Sequence, residues 1–180
     1  PKVSDLAFFL SAEYKPWEWL SLRPGVRTFI VADYDAPIAI PSVLTKFKLT
    51  KHMDLRLSYA YGFRSPTLQE LYFSFHNDNH DIDGNPDLKA EYSHNITGSV
   101  AYRVLHSEKI HLTTTLSGFY NDFRDKISLA QNVDIPNYNT YYNIDRYKTV
   151  GGSLENSLSW GGLRANLNVS LIGRYNRYAT

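Results

Sequence analysis

Cysteine is absent from this 180-residue chain, methionine occurs once, and neither sign of charge predominates. Without thiols there is no thiolate metal site and no catalytic cysteine. Such a chain is at ease in an oxidising compartment such as the periplasm or outer membrane. The 19 Lys+Arg against 18 Asp+Glu leave no basic field for nucleic acid, so no nucleic-acid partner is expected. Long hydrophobic runs are also missing, and no stretch approaches the roughly 20 apolar residues of a transmembrane helix. If this chain crosses a membrane it does so as part of a closed β-barrel, because only a helix or a barrel satisfies its own backbone in lipid. The chain has no G-x-S-x-G, no metal-spaced histidine pair and no Ser/His/Asp set. An enzyme, a resident metal and a resident cofactor are therefore not expected. The opening Pro1-Lys2-Val3-Ser4-Asp5 reads neither as a signal peptide nor as an initiation site, which points to an internal segment.

What the chain has in quantity is aromatic residues: 14 Tyr, 9 Phe and 3 Trp. Mean hydropathy is nonetheless negative, at -0.37. Tyr and Trp favour sites with one apolar and one wet end, such as a membrane interface. The apolar residues recur with a period of two in eight segments, each close to the about 9–11 residues of a membrane-crossing strand. The last is the cleanest, with Leu163, Ala165, Leu167, Val169 and Leu171 alternating with Arg164, Asn166, Asn168 and Ser170. Ser, Thr, Asn and Arg dominate the polar set, as a watery lumen requires. Over residues 119–129 the apolar parity slips, which predicts either a bulge or a strand continuing above the membrane.

The connections sort by length. Residues 15–19, 51–52, 106–109 and 161–162 are short, whereas 33–41, 65–90 and 131–140 are longer and rich in Asp, Asn and Pro. Short turns at one end and long loops at the other characterise outer-membrane barrels. Tyr14, Trp17, Trp19 and Trp160 fall near the short-turn end, where an aromatic girdle belongs. The expected fold is all-β, an antiparallel up-and-down meander of about eight strands, part of a larger transmembrane β-barrel.

Ordered motifs make this specific. Phe63-Arg64-Ser65-Pro66 runs into Thr67-Leu68-Gln69-Glu70-Leu71, and a long polar stretch leads to Gly84-Asn85-Pro86-Asp87-Leu88-Lys89-Ala90-Glu91. Phe119-Tyr120-Asn121-Asp122, Tyr142-Asn143-Ile144 and Leu20-Ser21-Leu22-Arg23-Pro24-Gly25 follow the same pattern elsewhere in the chain. Together they resemble the TonB-dependent receptors, whose barrel carries a FRAP-like box and an N-P-D/N-L-x-x-E box on either side of an extracellular loop. Ser65 replaces the usual Ala, and Ala90 stands where Pro is common. The resemblance implies that residues 1–180 are a partial receptor barrel domain, with the plug and the C-terminal strands absent.

It also implies an outer-membrane receptor for TonB-energised uptake of an iron chelate, haem or cobalamin. Its partners would be outer-membrane lipid, a small-molecule chelate, and the TonB complex through the missing N-terminal region. Haem as the transported ligand is the sharpest variant that the resemblance implies, because haem receptors of this family carry a histidine between the two boxes. His76 and His80 stand there, and a neutral imidazole is a good axial ligand for haem iron. The bland reading makes both solvated loop histidines, and makes Phe63, Arg64, Pro66, Glu70, Asn85, Pro86, Leu88 and Glu91 loop architecture rather than ligand contacts. Arg64 is placed to pair with Glu70 or Glu91 across the loop. His94 and His111 read as structural. The rival function is a small structural or adhesive eight-stranded outer-membrane barrel, whose interior side chains would just fill. Excision from a larger barrel would leave open strand edges through which the segment self-associates.

Overall fold

The computed structural model describes residues 5–31, 36–77, 81–107, 109–131, 135 and 137–177. The chain enters through β1 (Asp5–Ser11) and β2 (Tyr14–Trp17), which lie end to end along β3 (Leu20–Val31). Then follow β4 (Ile40–Lys48) and β5 (Met53–Arg64), a one-turn helix α1 (Leu68–Tyr72), and two short strands, β6 (Ser74–His76) and β7 (Asp81–Asp83). The long strands β8 (Glu91–His106), β9 (Ile110–Gln131), β10 (Tyr138–Trp160) and β11 (Leu163–Arg177) complete the chain. Counting β1 and β2 as one interrupted strand, the meander has the eight positions that the alternation predicts, paired antiparallel in sequence order. The sheet stays open, with β1 at one edge and β11 at the other.

Cross-strand register separates two faces. Leu55, Val100, Leu116, Leu154 and Val169 stand side by side on five consecutive strands, an apolar row on one face. One residue along, Arg56, Ser99, Ser117, Ser153 and Ser170 form the matching row on the other face. A greasy outside and a hydroxylated inside are what a barrel wall in lipid requires. At the short-turn end Trp17 stacks on Trp19 with centroids 5.1 Å apart, and Trp19 packs near Phe47 at 6.2 Å. The β10–β11 turn is closed by Gly161 at φ +53, a left-handed conformation that glycine adopts without penalty.

Three expectations are revised. The first turn is shorter than 15–19, since β2 carries strand through Trp17 and only Glu18 and Trp19 turn. A register shift between Tyr14 and Trp17 marks the irregularity, at Pro16, which has no amide donor to offer the ladder. The loop 131–140 is likewise trimmed, because β9 runs for 22 residues and β10 for 23, twice what a membrane needs. The parity slip is therefore strand continuing beyond the membrane. Asp125, at φ +52, breaks the alternation there, and the β8 pairing stops at Arg124 while the β10 pairing continues to Gln131. Finally, the pairing is not wholly antiparallel: β7 runs parallel to β10, with Asp81, Ile82 and Asp83 opposite Tyr138, Asn139 and Thr140. The long loop thus crosses from β5 to the far side of β10 before returning to β8.

Candidate functional site

The long loop is built as a folded shelf. Pro66 removes a donor and ends β5, and Thr67 starts α1 by accepting a hydrogen bond from the Glu70 amide at 3.2 Å. Glu70 reaches back to the Thr67 amide at 2.7 Å, completing a reciprocal capping box. Arg64 donates both its Nη1 bonds to Glu70, at 2.8 and 3.1 Å, and Nη2 to Glu91 at 3.2 Å. Glu91 Oε2 also accepts from the Ile127 amide at 3.1 Å, so one guanidinium ties β5, α1, β8 and β9 together. Both acids that the sequence offers as partners for Arg64 are engaged. Burial pushes the Glu70 carboxyl up, but the Arg64 and Thr67 hydrogen bonds outweigh it and hold it below its ordinary 4.5. Burial likewise disfavours charge on Arg64, and the two carboxylates more than restore it.

The second box clamps the other side of the helix. Asn85 donates its backbone amide to the Glu70 carbonyl at 2.8 Å and its side-chain amide to the Tyr141 carbonyl at 2.9 Å. Its side-chain oxygen accepts from the Asp87 amide at 2.9 Å, an Asx turn that leads through exposed Pro86. Gly84 sits so close to α1 that a Cβ there would meet the Leu71 carbonyl carbon and the Tyr72 amide, each at 2.6 Å. Beneath these contacts Leu88, Leu71 and Ile127 are buried together and Tyr141 packs on them. Each buried leucine contributes roughly 2 kcal/mol. Phe63 lies between Phe29 and Tyr92, with centroids 6.0 and 5.5 Å away.

His76 projects from the β6–β7 ribbon at the rim of this shelf and is half exposed. Its Nδ1 lies 3.1 Å from Asp81, and its Nε2 lies 2.9 Å from the Ser74 hydroxyl and 3.4 Å from Asp83. Both ring nitrogens thus have partners, and one of them must let go before an iron could take its place. His80 lies outside the described residues. His94 accepts or donates a 3.0 Å bond with the Tyr59 hydroxyl, and His111 packs edge-on against His106. Sequence reasoning placed Asn143 in a motif but gave no structural role to this side chain, which donates to the Lys89 and Asp125 carbonyls and accepts from the Lys89 amide. It also missed Asp81 and Asp83. Asn143 carries a signal, a lone amide flanked by Tyr142 and Ile144 in an otherwise strand-like run, but its partners are 18 and 54 residues away.

An antiparallel meander with one greasy and one hydroxylated face, its long loops gathered at one end, is the wall of a membrane β-barrel. The whole chain, residues 1–180, matches the family model described as TonB dependent receptor-like, beta-barrel, and the chain belongs to that family. It is similar to the hemoglobin and hemoglobin-haptoglobin-binding protein C of Haemophilus influenzae, with 32% identity over 69% of this chain and 12% of that protein. The hemoglobin-haptoglobin utilization protein B of Neisseria meningitidis serogroup C is 36% identical over 53% of the chain, again 12% of the relative. The chain thus spans about an eighth of the length of these relatives. Among solved structures, the Serratia marcescens haemophore receptor HasR matches 94% of the chain with a TM-score of 0.78 and 15% identity, over 34% of its own length. The siderophore receptor PirA of Pseudomonas aeruginosa matches 98% of the chain and 39% of its own, with a TM-score of 0.71 and 18% identity.

Proposed function

We infer that this chain is a wall segment of an outer-membrane receptor that takes haem iron from a haemoglobin-type carrier, with import energised through TonB by the remainder of the receptor. The observation that carries this reading is the set of relatives at 31–38% identity whose names state haemoglobin or hemoglobin-haptoglobin binding, or hemoglobin-haptoglobin utilization. The chain's own residues supply positioning. The Arg64–Glu70–Glu91 lattice and the Asn85 clamp hold the loop rigid, and the rim of that rigid loop presents His76. A neutral imidazole there can take one axial position of haem iron once Ser74 and Asp83 release Nε2. His80 is the other candidate ligand in the same loop. The boxed residues then act as scaffold, and cargo contact falls to the loop between them.

The test is haem titration into the full-length receptor, reading the Soret band, with and without the His76→Ala/His80→Ala pair. A shift present in the wild type and lost in the pair supports the histidine assignment. An unchanged shift removes both histidines from the ligand set while leaving haem as cargo. No haem or haemoglobin binding by the wild type moves the cargo to a siderophore or cobalamin, the other chelates such a barrel admits.

A further inference from the structure

The greasy face of the sheet ends abruptly toward the long loops. Two rows above Leu116 the register sets Tyr59, Ile96, Tyr120 and Val150 abreast, then Tyr61, His94, Asp122, Lys148 and Tyr175 in the next row. The row beyond reads Tyr92, Arg124, Arg146 and Arg177: three arginines abreast on β9, β10 and β11. That they share the outer face is borne out by contacts. Lys148 Nζ stands 5.6 Å from the Tyr120 ring, and Arg124 lines one surface pocket with Tyr61, Tyr92 and His94.

Charge on this strip is incompletely cancelled. Asp122 is shared by Arg146, through bonds of 2.8 and 3.2 Å, and by Lys148 at 3.6 Å. Arg177 is matched by Asp145 at 2.6 Å. Arg124 is exposed and, among the described residues, has no side-chain hydrogen bond or ion pair. Two positive charges therefore remain over, one on Arg124 and one shared between Arg146 and Lys148. Asp125 also borders the pocket and disfavours an anion on that side.

Height decides what meets them. From Ile110, opposite Trp160 in the lower girdle, β9 runs about 46 Å to Arg124 at roughly 3.3 Å per residue. A strand tilt of about 40° makes this about 35 Å along the membrane normal. With an apolar band about 25 Å tall, the arginine row lies in the headgroup layer of the leaflet on the long-loop side.

We propose that the strip Arg124–Arg146–Lys148, with the Tyr61, Tyr92 and His94 pocket beside it, is a binding site for the phosphate of an outer-leaflet lipid headgroup. The site rests on the outer-membrane reading given above. A guanidinium offers a planar fork of donors that fits phosphate, and the neighbouring tyrosines bring hydroxyl donors at an interface where their rings stay in apolar surroundings. Asp122 keeps Arg146 and Lys148 extended along the wall, and unpaired Arg124 is the first cation that a headgroup meets.

The test uses the full-length receptor in phosphatidylcholine nanodiscs doped with lipid A or with dephosphorylated lipid A, counting lipids retained by native mass spectrometry. Wild type should enrich the phosphorylated lipid over its dephosphorylated form. Arg124→Gln alone, which breaks no intramolecular pair, should reduce that enrichment about 3-fold. The triple variant Arg124→Gln/Arg146→Gln/Lys148→Gln should reduce it about 10-fold or more. Asp122→Asn, which removes a competing carboxylate, should raise it. Equal enrichment in wild type, the single variant and Asp122→Asn overturns the proposal even if the triple variant misfolds. A wild-type receptor that enters nanodiscs but does not distinguish the two lipids overturns the site and leaves the barrel standing. Failure of the wild type to enter nanodiscs at all overturns both.

Discussion

At the scale of single residues, Arg64 and Gly84 carry the most consequence. Arg64 is the sole cation between Glu70 and Glu91 among the described residues, so Arg64→Ala leaves two part-buried carboxylates facing each other. With Arg64 itself 40% exposed, solvent screens part of the loss, and a cost of about 2 kcal/mol to loop closure is expected. Hydrogen exchange at the Leu71 and Asn85 amides, which bond to Thr67 and Glu70, reads this directly as faster exchange. Glu70 gives the lattice a pH dependence whose sign is fixed. Its carboxyl is held below 4.5 in the fold, so its contribution is complete above 4.5 and is lost as pH falls through the lowered value. The same amides should therefore lose protection only in that acid range, after correction for the intrinsic exchange rate. Gly84→Ala is the steric counterpart: backbone atoms at 2.6 Å cannot yield as a side-chain tip would, so α1 must move away from the second box. The expected sign is protease cutting within residues 66–84 of the variant receptor and none in the wild type. The pairing partners of Arg64 were legible in the sequence because both acids stand in the two boxes. The Asn85 clamp was not, because its acceptor at Tyr141 belongs to a strand 56 residues on.

At the scale of elements, period-two alternation revealed the eight wall strands because a wall strand has one face in lipid and one in water. It faltered wherever that asymmetry ends. Above the membrane both faces of β9 and β10 are wet or packed under the loop shelf, so the pattern follows β9 only through a slipped parity as far as residue 129. It assigns Gln131 and Tyr138 to Thr140 to the loop, although the backbone pairing of β9 with β10 continues there. Strands β6 and β7 are three residues each and pair through the backbone, which leaves little side-chain signature. The break itself rests on Asp125 at φ +52, whose carbonyl accepts from Asn143 at 2.7 Å. Asp and Asn tolerate that conformation better than other non-glycine residues, and a β-branched side chain does not. Asp125→Gly should therefore leave the top of β9 paired with β10, whereas Asp125→Val should cost about 1–2 kcal/mol and fray it. Amide protection of residues 126–131 relative to 110–120 separates the two outcomes. Equal protection in both variants would show that the kink is not held by this backbone angle.

At the scale of the whole molecule, the sheet lacks what usually holds a β domain together. No side chain among the described residues is fully buried, and the cluster of buried apolar residues, Leu71, Leu88 and Ile127, lies in the loop shelf rather than behind the wall. The apolar face stands open, with Leu116 at 59% and Leu171 at 79% exposure, and the edge strands β1 and β11 have unpaired backbone along one side among the described residues. In an intact barrel lipid covers the first and neighbouring strands cover the second. Residues 1–180 expressed alone have neither. An exposed, flat, apolar edge recruits another strand, and β11 has fifteen residues over which to do so. The isolated segment should therefore assemble as its concentration rises in detergent-free buffer and should disperse in detergent. Arg174 and Arg177 give the upper end of β11 some charge, but the run from Leu167 to Ile172 has none. Placing Lys at Leu167 and at Leu171, on the greasy face of that edge, should weaken assembly, because a charge there opposes the close approach of a second apolar wall. Sedimentation velocity in the two buffers gives the answer. A detergent-free monomer at high concentration would mean that the segment closes on itself, which is how a small self-contained barrel would behave.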